Sequence, residues 1–328
     1  MSRLTRSTRS TRPASVADGP YTPPVPVRTL TAVSADGARL HVEVHGVDDG
    51  PVVVLSHGWT CSTAFWAAQI RGLAPDHRVV AYDQRGHGRS PASAVCSTDA
   101  LADDLEAVLA ATLAPGEKAV VVGHSMGGMT VLAASAREGF REHAAAVLLC
   151  STGSSRLVAE SLVVPMRAGR LRTWLTRLGL SSRAPLGPVT PVSRRILKYA
   201  TMGAGSTPAM VEACARIVHA CPRKVRYSWA RVLEGVQLDR QIGELTIPAA
   251  VVVGTADRLT PPVHARALAA ALPDCHGVTE LAGLGHMTPV EAPGEVTGVI
   301  RELVLAYGQF GAQGTQGNQG GVRIEEGA

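Results

Sequence analysis

The sequence predicts an α/β fold in which a mostly parallel sheet is covered by helices on both faces. Three observations carry that expectation. Short apolar runs recur along the chain: VVVL at 52–55, AVVV at 119–122, AAAVLL at 144–149 and AAVVV at 249–253. Stretches of helical periodicity separate most of them. The run at 119–122 closes on the glycine-flanked serine of GHSMGG, a spelling suited to a tight strand-to-helix turn.

The elements follow in order. Residues 1–26 open with MSRLTRSTRSTRP, which has four arginines and no acid before Asp18, and are read as a disordered basic arm. The arm lacks the apolar stretch of a secretory signal. Segments 29–34 and 38–45 flank Asp36-Gly37, a hairpin turn signal, and predict two antiparallel strands. Then PVVVLSHG leads into CSTAFWAAQIRGLA, and RVVAYD leads into TDALADDLEAVLAATL. KAVVVGHS leads into an expected amphipathic helix from Met126 to Arg137, and AAAVLLCS follows as the sixth strand.

The alternation then breaks. Residues 152–240 show no clear strand, only Leu-, Arg- and Ala-rich helical pieces punctuated by prolines, and are read as a helical cap inserted between the sixth and seventh strands. This stretch holds 15 Lys/Arg against 4 Asp/Glu, whereas the whole chain is only +5. The core is expected at 27–151 and 241–307. A Gly/Gln-rich tail, 308–328, is read as disordered.

Composition narrows the function classes. Aromatics make up only 4% of the chain, so the core must be built from Ala, Val and Leu. Arginine supplies all but Lys118, Lys198 and Lys224 of the 32 basic residues, the usage of a GC-rich bacterial genome. No apolar run reaches the roughly 18 residues of a membrane span. Six scattered cysteines show no metal-ligand spacing and are read as reduced thiols, the alternative being a Cys214–Cys221 disulfide in an exported protein. A cytoplasmic location is therefore expected. The basic arm and the pI of about 9.1 raise nucleic-acid binding, but no recognised module supports it.

Chemistry centres on Ser125. In G-x-S-x-G the serine sits on a strained turn, and side chains two residues before and after it would collide, hence Gly123 and Gly127. The turn lifts Oγ off the sheet beside a helix N-terminus, where an oxyanion would be stabilised. A base should follow on a late loop. Of the 11 histidines, His286 in ELAGLGHMTPVEAP fits, whereas His219 falls on a helix-like segment of the cap. Asp257, just past the run Ala249–Val253, is the expected orienting acid, ahead of Asp274 or Glu280. The stretch after the sixth strand, LLCSTGSS, offers no carboxylate. The loop LSHGWTCSTAFW should give the second oxyanion donor. The backbone N–H of Trp59 would act with that of Met126, while His45-Gly46 ends a hairpin strand and is a decoy. His57, Phe65, Trp66 and Met287 are the remaining candidate pocket residues.

Together these residues resemble the α/β-hydrolase superfamily over about 27–307. The order Ser125, Asp257, His286 matches the superfamily's, and His57-Gly58-Trp59 resembles its oxyanion loop. The segment DQRGHGRS, Asp83 to Ser90, is similar to its D-x-R-G-x-G-x-S segment and is read as structural. The resemblance implies an eight-stranded sheet with a lid and no cofactor. It also favours acyl chemistry over members that use an aspartate nucleophile. A carboxylesterase or lipase-like hydrolase is the first expectation. Thioesterase, carbon–carbon bond hydrolase, perhydrolase/haloperoxidase or lyase chemistry on the same fold comes next, then a non-catalytic ligand receptor. The expected partners are a small-molecule or lipid ester and, through the basic cap, an anionic substrate or membrane surface.

Overall fold

A computed structural model describes residues 19–308, so most of the basic arm and nearly all of the Gly/Gln-rich tail lie outside the described residues. A hairpin comes first along the described chain. β1 (Arg28–Val33) pairs antiparallel with β2 (Arg39–Gly46), with Gly37 at φ 82° in the turn. β2 pairs antiparallel with β4 (Arg78–Tyr82). Every further pairing is parallel, among β3 (Val52–Ser56), β4, β5 (Ala119–His124), β6 (Ala144–Cys150), β7 (Ala249–Gly254) and β8 (Cys275–Leu281). The eight-stranded sheet runs β1-β2-β4-β3-β5-β6-β7-β8, with β5 near its middle.

Strands β3, β5 and β7 are buried at every residue, which explains why they read as unbroken apolar runs rather than alternating ones. Their side chains point alternately into two cores. On one face Val52, Val54 and Val121 meet α2 (Thr98–Thr112), α3 (Met126–Ala134) and α11 (Pro262–Ala271). On the other face Val53, Leu55 and Val122 meet α1 (Ala67–Leu73) and α13 (Pro293–Tyr307). Helix α3 corrects one expectation. It ends at Ala134 rather than Arg137, and it is not amphipathic, because it is enclosed by the sheet and α2 and only Ala133 is less than fully buried. The segment before Val27 is also not free of the core. Tyr21 packs on the second face, and Arg71 donates to the Thr22 carbonyl.

After the short helix α4 (Glu138–His143) and β6, the chain leaves the sheet. Among the described residues six helices precede β7: α5 (Leu157–Glu160), α6 (Arg170–Leu180), α7 (Pro191–Thr201), α8 (Pro208–Ala220), α9 (Arg223–Glu234) and α10 (Asp239–Glu244). Thr190 and Thr207 cap α7 and α8 through backbone N–H groups three residues on, and a proline follows each at the first helical position. Two indole N–H groups fasten these helices to the core. Trp59 donates to the Arg226 carbonyl and Trp229 to the Arg85 carbonyl.

The D-x-R-G-x-G-x-S segment is the internal brace of this end of the sheet. Asp83 accepts the N–H groups of Thr63 and Arg89. Arg85, 1% exposed, forms a two-pronged pair with the buried Asp104 and reaches Asp36 of the hairpin turn. Gly88 stands where a Cβ would overlap the Asp83 carboxylate. All six cysteines carry free thiols. Asp104→Ala should leave the Arg85 guanidinium buried without its main partner and cost about 3–5 kcal/mol. Urea unfolding monitored by circular dichroism measures this, and a loss below about 1 kcal/mol would contradict the brace.

Candidate active site

The site is built on the carboxyl ends of the central strands. β5 runs directly into Ser125, whose backbone sits at φ 52°, ψ −115° before α3 begins. A Cβ on Gly123 would lie 2.5 Å from the Gly127 carbonyl oxygen, and one on Gly127 would overlap the Ser56 carbonyl. Both flanking glycines are therefore required by contacts inside the turn and with β3. The Ser125 N–H donates to Cys150 of β6, and Thr152 Oγ1 donates to the Ser125 carbonyl at 2.7 Å. Three of the four non-glycine residues with positive φ among the described residues are Thr60, Ser125 and Ser151. They stand just past the ends of β3, β5 and β6, so backbone strain gathers at one edge of the sheet.

His286 and Asp257 meet here. His286 Nδ1 donates to Asp257 Oδ2 at 2.8 Å, which leaves Nε2 as the acceptor nitrogen of a neutral ring. Asp257 Oδ1 accepts the N–H groups of Leu259 and Thr260. Ser125 and His286 line the same cavity, of about 290 Å³, with no direct hydrogen bond between their side chains. Among the described residues the backbone N–H groups of Trp59 and Met126 have no acceptor, since Trp59 lies in an open loop and Met126 is the first residue of α3. A Cβ on Gly58 would press on Ser125 Cβ and the His124 ring, so glycine lets the Trp59 loop lie against the serine turn.

The pocket residues divide. Trp59 and Met287 line the cavity. His57, Phe65 and Trp66 do not. All three are buried beneath the floor, His57 between the Gly58 carbonyl and the Gln84 N–H, and Phe65 and Trp66 against His124. A short 3-10 turn at Thr63–Trp66 carries both aromatics into the second core. The Met126 side chain likewise packs away from the cavity, among Leu101, Val225 and Trp229. His219 is remote and contacts the Gly187 carbonyl at the surface.

Two supporting residues were missed from sequence. Thr260 Oγ1 lies 2.9 Å from Asp257 Oδ2 and from the Ser151 carbonyl, and 3.1 Å from His286 Nδ1. Its signal was the three-residue spacing from Asp257, an Asx-type turn in D-R-L-T. Glu291, on the single-turn α12 (Thr288–Glu291), accepts the N–H groups of Gly285 and Met287 on either side of His286. It also accepts from Gly203 N–H and Ser206 Oγ, between α7 and α8. A carboxylate five residues past the histidine is the only mark it leaves in the sequence.

The imidazoles around the site are held neutral. His57 donates from Nδ1 and accepts at Nε2, and burial lowers its pKa to about 4. His87 donates to the Arg85 carbonyl and accepts from Thr60 N–H, and burial lowers its pKa to about 3. His124 donates Nε2–H to the His286 carbonyl at 2.9 Å, and burial holds its pKa well below the ordinary value. No cluster of three or more His, Cys, Asp or Glu suited to a metal occurs among the described residues.

With fold and site in place, the comparisons fall into one class. The family model described as the alpha/beta hydrolase fold matches residues 51–293, and the chain belongs to that family. A RutD protein of Variovorax paradoxus, named as a candidate carbamate hydrolase, is 30% identical over 279 residues, covering 78% of this chain and 98% of its own. A thermophilic esterase from Thermogutta terrifontis superposes with a TM-score of 0.68 at 24% identity, over 85% of this chain and 99% of that one. A bromoperoxidase from Bacillus anthracis gives 0.69 at 19%, over 85% and 100%. These two likenesses establish the fold, and the family makes the chain a hydrolase by descent.

The buried imidazoles set a pH dependence of stability. Above the unfolded value of about 6.5 neither state of His57, His87 or His124 is charged, and stability is level. Below it the unfolded chain takes up protons that the folded chain refuses. Stability should therefore fall as pH drops from about 6.5 toward 4, at up to about 1.4 kcal/mol per pH unit for each histidine. Urea midpoints measured across that window test it, and a flat profile would refute the neutral assignment.

Proposed function

We propose that the protein is a serine hydrolase that cleaves carboxylic esters of uncharged, apolar acyl groups through an acyl-enzyme on Ser125. The observation that carries this reading is the strained Ser125 turn opening on the same apolar cavity as the His286–Asp257 pair. In the mechanism, His286 Nε2 takes the Ser125 Oγ proton as the oxygen attacks the ester carbonyl. Negative charge collects on the carbonyl oxygen between the N–H groups of Trp59 and Met126, donors worth about 2.7–4 kcal/mol each in comparable sites. The intermediate collapses, and the leaving alkoxide takes its proton from His286. Water then attacks the acyl-enzyme with His286 again as base, releasing the acid and restoring Ser125. Asp257 holds the imidazole in the tautomer this requires and stabilises the imidazolium.

Substrate class follows from the lining. Met129, Leu157, Val158, Leu197, Val218 and Leu233 dominate the cavity wall. Arg226, the cavity's one arginine among the described residues, is engaged by the carbonyls of Ser182 and Ala184. The Glu234 carboxylate is held by Ser181 and Arg231. A charged acyl group would find no free counter-charge there and would lose its hydration. Names among the relatives, a candidate carbamate hydrolase and an esterase, agree in requiring attack at an acyl carbonyl.

Hydrolysis of p-nitrophenyl esters of increasing acyl length tests the reading. Wild type should prefer neutral aliphatic chains over acyl groups ending in a carboxylate, and Ser125→Ala should lower kcat/KM by at least about 10³-fold. Full activity in Ser125→Ala would overturn it.

A further inference from the structure

The cap carries a surface that the hydrolytic reading does not use. From Ser161 to Val211 the chain has eight Arg/Lys and no Asp or Glu. The same segment holds nine of the sixteen large apolar side chains that stand exposed among the described residues. They are ordered by helix periodicity. On α6, Leu171, Trp174 and Leu178 are 57, 56 and 58% exposed, while Arg172 and Thr176 on the opposite face are buried. Val192, Ile196 and Tyr199 repeat the pattern on α7. Spacings of three and four residues put each trio on one outward face.

Helix α6 is weakly built from within. Its N-cap is Gly169 with no side-chain bond, Arg170 sits at the positive end of the helix dipole, and its principal contact is the four-residue α5. Trp174 and Leu178 also line a surface groove with Arg177, Arg183, Tyr227 and Arg231, and that groove shares Ser182 and Glu234 with the Ser125 cavity.

We infer that the outward face of α6, with the groove beside it, is a peripheral docking surface for an anionic lipid bilayer. Arg167 and Arg170, exposed and without an acidic partner among the described residues, attract the headgroups, and tryptophan and leucine enter the interfacial layer. The exposed apolar side chains distinguish this from a polyanion site, where charge alone would serve. No helix among the described residues is long and apolar enough to cross a membrane, so the contact is one of lying on the surface. Docked in this way, the groove beside α6 faces the lipid and leads toward the cavity.

The test uses the full chain and sedimented vesicles of phosphatidylcholine, alone or mixed with phosphatidylglycerol. Wild type should bind the mixed vesicles, release with added salt, and show a blue shift of tryptophan emission that Trp174→Phe removes. Trp174→Ser with Leu178→Ser should weaken binding at least about tenfold, and Arg167→Gln and Arg170→Gln by about fivefold for each arginine lost. All these variants should keep wild-type hydrolysis of a water-soluble p-nitrophenyl ester, so a failure of docking is read separately from a failure of the serine chemistry. No binding to mixed vesicles at low salt overturns the inference. So does light scattering that shows a dimer in wild type and a monomer in Trp174→Ser/Leu178→Ser.

Discussion

The backbone of Ser125 is the constraint on which the rest of the molecule turns. A serine at φ 52°, ψ −115° costs on the order of 1–3 kcal/mol in isolation and persists only where its surroundings over-determine it. Here they do. β5 is hydrogen-bonded along its length to β3 and β6, so the strand cannot twist to relieve the turn. The Ser125 N–H is bound to Cys150, its carbonyl to Thr152, and the two glycines permit contacts that any Cβ would block. The same geometry that strains the turn leaves the Met126 N–H without an acceptor among the described residues and brings the Gly58 loop against it. The strained serine and the backbone N–H group beside it are thus products of one local conformation.

Around that turn the protein has arranged neutral polar groups rather than charges. His57, His87 and His124 each serve as fixed donors or acceptors, and among the described residues Asp257 is the carboxylate bonded to the ring of the histidine that faces the cavity. A charged neighbour would compete with Asp257 for the His286 proton. The cap repeats the choice, because Arg226 and Glu234 are bound to partners before any ligand arrives.

How much of this could be read in advance depended on how local each signal was. The hairpin at Asp36-Gly37, the buried strands and the serine turn follow from neighbouring residues, and all appear where the sequence places them. His286 and Asp257 could be chosen by their position after late strands. The cavity wall could not be read. It is assembled from helices whose packing depends on contacts far apart in sequence, and nearness to the Gly58 loop misled. Phe65 and Trp66 lie a few residues from Trp59, but the 3-10 turn that holds them sends them into the core while Trp59 stays at the cavity. Thr260 meets the His286 ring only once the fold brings two loops together, and Glu291 acts through backbone N–H groups, which sequence does not display.

Glu291 also sets the mechanics of the cap. Its carboxylate grips the chain on both sides of His286 and, with the same oxygens, Gly203 and Ser206 between α7 and α8. Lifting that corner would strand a buried carboxylate, at a cost of several kcal/mol. The corner therefore behaves as a hinge pin. The far margin of the cap, α6 with its glycine cap and short supporting helix, has no comparable anchor among the described residues. The contacts that align the histidine are thereby kept apart from the weakly capped α6 margin of the cavity.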